Sequence, residues 1–246
     1  MILIGITGSI GHGKTSLAEA FLKIEPSAIH DESSKLISEF ANEAKVTLPD
    51  VFDVQQINNW LSDLRPAISD VLHVDINSNL PLIPESTNPK DSEFIKLSEY
   101  ISSLNLNKSL REEKVTEETK PNHRALLQWI GGYFVNHISR TIWYDELIRR
   151  SKTAEQNGCK LYIIGGLRFP EDAEVTKKAA GKVIEVVRPN APQPDVNDPT
   201  ERERANITCD IRVINDGSLD GLATVAAKIY NDINHNTFDS IYTSRL

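Results

Sequence analysis

The chain has 246 residues, 39% of them hydrophobic and 25% charged, with a formal net charge of −8. That profile supplies enough apolar material for a true core and excludes a collagen-like or low-complexity chain. The acidic balance argues against holding a nucleic acid on a broad basic face, and leaves room for a local basic pocket around one phosphorylated small molecule.

Residues 2–7 (ILIGIT) form a short apolar run ahead of a glycine-rich turn and read as a buried parallel strand. Leu17, Ala18, Phe21, Leu22 and Ile24 then recur at helical spacing, which predicts a helix over Lys14 to Ile24 ending before Pro26. Residues 27–30 read as a second short strand closing on Asp31, followed by a helix through Leu36, Ile37 and Phe40. From about residue 45 to 122 the pattern becomes helical and loose. Ile57, Trp60, Leu61 and Leu64 lie on one helix face, and Phe94, Leu97, Ile101 and Leu104 on another. Between them, Leu80 to Lys90 reads as a proline-rich loop, while residues 107–123 are so poor in apolar groups that a mobile, solvated segment is expected. Two further helices carry Leu126, Leu127, Ile130 and Phe134, then Ile142, Trp143, Leu147 and Ile148. Strands follow at 161–164, 183–187 and 211–214, with a proline-rich polar excursion at 189–206 and a last helix over Leu219 to Ile233. Trp60, Trp129 and Trp143 read as helix-packing residues rather than platforms for a base.

Alternating short apolar strands and helices give the expected class, α/β with a mostly parallel sheet. We expect one domain over 1–246, with a helical insertion at 45–122 and a surface excursion at 189–206. Cys159 and Cys209, the only cysteines, suit neither a disulfide scaffold nor a cysteine-only zinc site. With no leader-type N-terminus and no apolar run of membrane length, a cytoplasmic location without membrane partners is expected.

Residues 8–15 (GSIGHGKT) match G-x-x-x-x-G-K-[ST] between a strand and a helix. In such a loop Gly8, Gly11 and Gly13 allow backbone N–H groups to close around phosphate oxygens, and the helix N-terminus adds unpaired donors. Lys14 is expected to reach the β- and γ-phosphates of ATP, the Thr15 hydroxyl to ligate Mg²⁺, and Ser16 to bond the α-phosphate. His12 occupies a variable position and reads as solvated. The lack of a basic face and of a GTPase-type base motif favours a small-molecule kinase.

Two stretches carry resemblances. The opening IGITGSIGHGKTSLAEAF, followed by a strand and Asp31, resembles dephospho-coenzyme A kinases. The later stretches Arg124-Ala125-Leu126-Leu127-Gln128-Trp129-Ile130-Gly131, Leu167-Arg168-Phe169-Pro170-Glu171-Asp172, Val186-Val187-Arg188-Pro189 and Ile214-Asn215-Asp216-Gly217-Ser218 resemble the deoxynucleoside monophosphate kinases of bacteriophages and their relatives. Both resemblances imply a three-layer P-loop NTPase/kinase fold, with 45–122 as a helical acceptor-binding insertion and 189–206 as a lid-like excursion, and transfer of the γ-phosphoryl of ATP, with Mg²⁺, to a small acceptor. They further imply that Asn215 and Gly217 lie beside the adenine. The sequence departs from the second family at Gly166, where an Asp is usual, and at Asp172, where a Glu is usual.

The candidate acceptor ligands are Arg124, Gln128 one helical turn on, Arg168 and Arg188. Asp31 is read both as a general base or magnesium-water ligand and as an N-cap for the helix that follows. Arg202 and Arg204 are read either as lid arginines or as a solvated charge run. The expected partner is a nucleotide acceptor, with no nucleic acid. Homodimerisation is common among such enzymes, and no residue here decides it. Three functions stand open at this point: a (deoxy)nucleoside monophosphate kinase, a dephospho-coenzyme A kinase-like enzyme, and a P-loop regulator with degraded chemistry.

Overall fold

The computed structural model describes residues 1–73, 83–191 and 199–245. The chain begins with β1 (Ile2–Thr7), α1 (Lys14–Ile24), β2 (Ile29–Glu32), α2 (Ser33–Ala44), α3 (Val54–Asp63), α4 (Arg65–Leu72) and α5 (Ile95–Leu106). After a 3₁₀ turn at Lys108–Arg111 come α6 (Lys120–His137), α7 (Ile142–Gln156), β3 (Leu161–Gly165), α8 (Pro170–Lys178) and β4 (Lys182–Val187). The last elements are α9 (Pro199–Arg204), β5 (Ile211–Ile214), α10 (Leu219–Asn234) and β6 (Ile241–Thr243).

These elements form two compact units, one of Met1–Ser33 with Leu147–Leu246, the other of Ser34–Glu146. The first contains a six-stranded sheet in the order β2-β3-β1-β4-β5-β6, with every described pairing parallel. A parallel sheet is covered on both faces, which is why β3 is buried at every position and reads as a continuous apolar run. Ile4 and Ile6, Leu161 and Ile163, Ile184 and Val186, and Ile211 and Val213 form one core with Leu17, Ala18 and Phe21 of α1 and Leu222, Ala226 and Ile229 of α10. Each such Ile, Leu, Val or Phe side chain is worth about 1.5–3 kcal/mol when fully buried. The opposite face meets α8 and the C-terminal part of α7. A Cβ on Gly5 would lie 2.9 Å from Leu167 and 3.1 Å from Thr176. This is the expected three-layer P-loop kinase fold.

The second unit is helical and wider at both ends than residues 45–122. Its core is aromatic: Phe40 packs on Phe134 at 5.0 Å, Phe134 stacks on Trp143 at 5.6 Å, and Trp129 stacks on Tyr133 at 4.7 Å. Trp60, Trp129 and Trp143 are all buried, as read from the sequence. The 107–123 segment departs from the solvated reading. Leu110, Val115 and His123 are buried, the Val115 amide donates to Asn42 Oδ1 at 2.8 Å, and Lys45 Nζ donates to the Arg111 carbonyl. A few anchors and polar contacts order a stretch whose composition lacks an apolar face. Residues 80–82 of the proline-rich loop and 192–198 of the polar excursion lie outside the described residues.

Candidate active site

The turn between β1 and α1 holds Gly8, Gly11 and Gly13 at φ 145°, 78° and 101°. Two of these positions are also closed by contact. A Cβ at Gly8 would lie 2.5 Å from the Val186 carbonyl, and one at Gly13 would strike the Asn215 side-chain amide. Gly13 caps α1 in the left-handed conformation, with no side-chain cap and no acidic residue in the first turn. The first amides of α1 therefore face outward with the positive end of the helix dipole uncompensated, an arrangement suited to an anion. Lys14 folds back over the turn, donating from Nζ to the carbonyls of Gly8 at 2.7 Å and Ser9 at 2.9 Å. Thr15 is exposed and Ser16 half-buried.

Asn215, just after β5, ties the turn to the far side of the sheet. Its Nδ2 donates to the His12 carbonyl at 2.9 Å, and its backbone amide donates to Val187 at 2.8 Å. His12 differs from its solvated reading: it is half-buried, with Nδ1 3.3 Å from the Val186 carbonyl and 3.4 Å from the Arg188 amide. Lys14, Thr15, Ser16, Arg188, Asn215, Gly217, Gly11, Gly13 and the exposed Leu219 surround one cavity of about 350 Å³. A neighbouring cavity of about 220 Å³ shares Arg188, Asn215 and Gly217 and continues along Pro189–Ala191 and Asp216. Eight of the residues singled out from sequence therefore meet in one place. Arg204 of α9 donates to the buried hydroxyl of Ser9 in the same glycine turn, whereas Arg202 is exposed.

The end of β2 separates two carboxylates. Asp31 pairs with Ile164, on the α7–α8 side of the sheet, where it accepts from the Tyr162 hydroxyl at 3.0 Å and lies 3.8 Å from Arg150. Burial, with Asp31 beside it, raises the Tyr162 phenol well above its ordinary pKa. Asp31 lines a separate cavity of about 550 Å³ with Arg149, Arg150 and Cys159. His30 and Glu32 alternate to the α1 face, because His30 pairs with Ile163 of the core. They lie 3.3 Å apart, and both sit 2.7 Å from where a Cβ on Gly165 would be. Gly165 is the small residue that lets this pair fold over the end of β3. At Gly166 (φ 72°) a Cβ would meet nothing within 4 Å, so the missing family Asp leaves open space.

Arg168 is exposed beyond β3, on a loop held by Asp172. The Asp172 Oδ2 accepts the amides of Arg168 and Phe169, both at 2.9 Å, while Oδ1 is buried without a hydrogen bond among the described residues. Burial pushes the Asp172 carboxyl up to about 6, against the pull of those two amides. Leu167 is tied to β1 as well, its amide donating to Ile6 at 3.1 Å and its carbonyl accepting from Thr7 at 2.9 Å.

In the helical unit, Arg124 and Gln128 are exposed one turn apart on α6, opposite the buried Leu126, Trp129 and Ile130. His123, on the buried face, is within 2.7 Å of the Tyr100 hydroxyl and 3.0 Å of Glu113.

Residues 72–226 match the deoxynucleotide monophosphate kinase family. The chain belongs to that family. It is a phosphotransferase acting on a small-molecule nucleotide. The kinase is also 22% identical over 191 residues to a dephospho-CoA kinase of Mannheimia succiniciproducens, covering 65% of this chain and 86% of the relative. No helix among the described residues of the kinase is long and apolar enough to cross a membrane. The described residues contain no group of three or more His, Cys, Asp or Glu that could hold a metal ion.

Sequence reasoning missed three parts of the kinase: the His30–Glu32 pair, the Ser9–Arg204 contact, and Ser244, which grips the Asp216–Gly217 turn. Glu32 had no readable signal, because a four-residue edge strand does not show which of its acids faces α1. Ser244 had none, because its partners lie 27 and 28 residues away.

Proposed function

We propose that the kinase transfers the γ-phosphoryl group of ATP, with Mg²⁺, to a (deoxy)nucleoside 5′-monophosphate and releases the diphosphate. The observation that carries this reading is the uncapped N-terminus of α1, with Lys14, Thr15 and Ser16 lining the cavity at its mouth. Backbone amides at Gly8, Gly11 and Gly13 receive the donor's phosphates, and Lys14 exchanges its loop carbonyls for β- and γ-phosphate oxygens. Thr15, exposed in that cavity, is the residue to hold Mg²⁺, which neutralises charge on the phosphates when bound. A hard cation completed by phosphate and water needs no all-protein cage. Asn215 and Gly217 take the base end of ATP.

Arg168, Arg188 and Arg204 supply fixed positive charge around the transferred group. Residues 45–122, with Arg124 and Gln128 on α6, serve as the acceptor-binding insertion, and 189–206 as the lid that carries Arg204. Of the two carboxylates at the end of β2, Asp31 is the one singled out by sequence, for the acceptor proton or a magnesium water. Glu32 lies on the α1 side, and we assign it that role, leaving Asp31 to anchor β2 through Tyr162. A cytoplasmic enzyme is consistent with this chemistry.

A second reading, phosphorylation of a dephospho-coenzyme A-like hydroxyl, is favoured by the Mannheimia relative. Phosphorus NMR of the product separates the two. Both form ADP from ATP, so loss of the acceptor's monophosphate signal with two diphosphates formed per ATP consumed supports the first reading, and a new monoester signal on dephospho-coenzyme A with one diphosphate per ATP supports the second.

A further inference from the structure

The C-terminal strand ends against the turn that follows β5. β6 lies beside β5, with Thr243 opposite Ile214, and the Ser244 amide extends the ladder to the Ile214 carbonyl at 2.9 Å. Ser244 is 1% exposed. Its hydroxyl oxygen accepts two backbone amides at once, from Asp216 at 3.0 Å and from Gly217 at 2.9 Å. Gly217 and Gly221 allow this approach, since a Cβ on either would collide with the Ser244 carbonyl. Asp216 is clasped from the same segment, by Thr243 Oγ1 at 3.2 Å and Arg245 Nε at 2.7 Å.

Asp216 and Gly217 line the cavity that continues from Lys14 past Arg188. Each peptide unit carries one donor and one acceptor. With both donors taken up by Ser244, the groups these two peptides can still offer a ligand are carbonyl oxygens.

We infer that Ser244 is a specificity-determining residue for the phosphoryl donor: by occupying the Asp216 and Gly217 amides, it makes the turn an acceptor-only edge that selects a base with an exocyclic amino group over its oxo analogue. This rests on the reading of the cavity as the ATP site. A base whose 6-amino group meets a carbonyl is held, while a 6-oxo group there is left facing oxygen without a proton between them. Sites built around one hydrogen-bonding pattern reject the analogue that lacks it.

The test compares ATP with ITP, which differ at that position, by calorimetric binding with Mg²⁺ to the full chain. The wild type is expected to prefer ATP by about tenfold or more. Ser244→Ala releases two donors and is expected to narrow the ATP/ITP ratio at least fivefold, and Ser244→Thr, which keeps the hydroxyl, to restore it. A purely structural role would weaken both nucleotides together and leave the ratio unchanged. An unchanged ratio in a Ser244→Ala protein that melts as the wild type does overturns the inference. Wild-type protein that binds neither nucleotide overturns the reading of the cavity itself. Should Ser244→Ala not fold, hydrogen exchange on the wild type decides. The Asp216 and Gly217 amides are expected to be protected without nucleotide and to gain nothing from ATP. Fast exchange that slows only on adding ATP contradicts the inference.

Discussion

Asn215 donates its side-chain amide to the backbone carbonyl of His12 at 2.9 Å, so the turn after β5 and the glycine turn after β1 share one hydrogen bond. The same amide group fills the place a Cβ on Gly13 would need. Two stretches 203 residues apart in sequence are thereby set in fixed register around the cavity at the N-terminus of α1. Asn215→Ala removes the bond and opens a gap beside Gly13. ATP affinity should fall by about three- to tenfold, the range of one neutral hydrogen bond, with little change in melting temperature. Calorimetric titration with ATP and Mg²⁺ checks this, and unaltered affinity would show that the turns are registered by other contacts.

The alternation of β2 separates the roles of its acids. Glu32→Gln should reduce kcat by at least about a hundredfold with ATP affinity kept, as expected for loss of a positioned base. Asp31→Asn should act on stability through Tyr162, with kcat changed less than about fivefold, within what one altered hydrogen bond can do. Steady-state kinetics on the two variants, beside thermal melts, read both effects. The reverse ranking would return the catalytic assignment to Asp31.

Much of this architecture is legible from residues alone. ILIGIT and KTSLAEAFLKI announce β1 and α1 because burial on both sides of a parallel strand and on one side of a helix leave different periods. The end of β2 is not legible in the same way. Four residues, with Ile29 exposed at the sheet edge, are too few to show which of Asp31 and Glu32 faces α1. α8 carries local signals in Pro170 at its start, acids in its first turn and lysines in its last, but Ala173 and Thr176 give it little apolar face. β6 offers three residues, one of them buried, so its pairing with β5 and the grip of Ser244 are tertiary facts. The segment 107–123 misleads for the opposite reason, since Leu110, Val115 and His123 are widely spaced anchors in polar sequence.

Asp172 gives a pH signature. Its carboxyl is raised from 3.8 to about 6, chiefly by burial. A raised carboxylate means that the folded state holds its proton more tightly than the unfolded chain does. Stability from this group is therefore intact below about pH 4 and is lost as pH rises through about 6. Relative to Asp172→Asn, the wild type should lose up to roughly 3 kcal/mol across that window, at about 1.4 kcal/mol for each pH unit between the unfolded and folded values. Urea unfolding of both proteins between pH 4 and 7 measures it. Parallel curves would show that the carboxyl binds its proton equally in the folded and unfolded states.

His123 acts in the other direction. Burial lowers its pKa below 6.5 despite the neighbouring Glu113. The neutral ring is the folded form, so its contribution is present above pH 6.5 and is lost as pH falls, when the unfolded chain takes up the proton first. His123→Gln should flatten the acid limb of the stability curve below about pH 6.5. The same urea titrations, extended to pH 5, would reveal an unchanged limb if His123 binds its proton equally in both states.

Phosphoryl transfer to a nucleoside monophosphate is read out as ADP release with ATP, Mg²⁺ and a panel of acceptors. The panel holds the deoxy- and ribonucleoside monophosphates and dephospho-coenzyme A, with a control lacking acceptor and a Lys14→Ala variant. The account predicts turnover with one or a few monophosphates, abolished in Lys14→Ala. Turnover confined to dephospho-coenzyme A, or ATP binding without transfer to any acceptor, would contradict it.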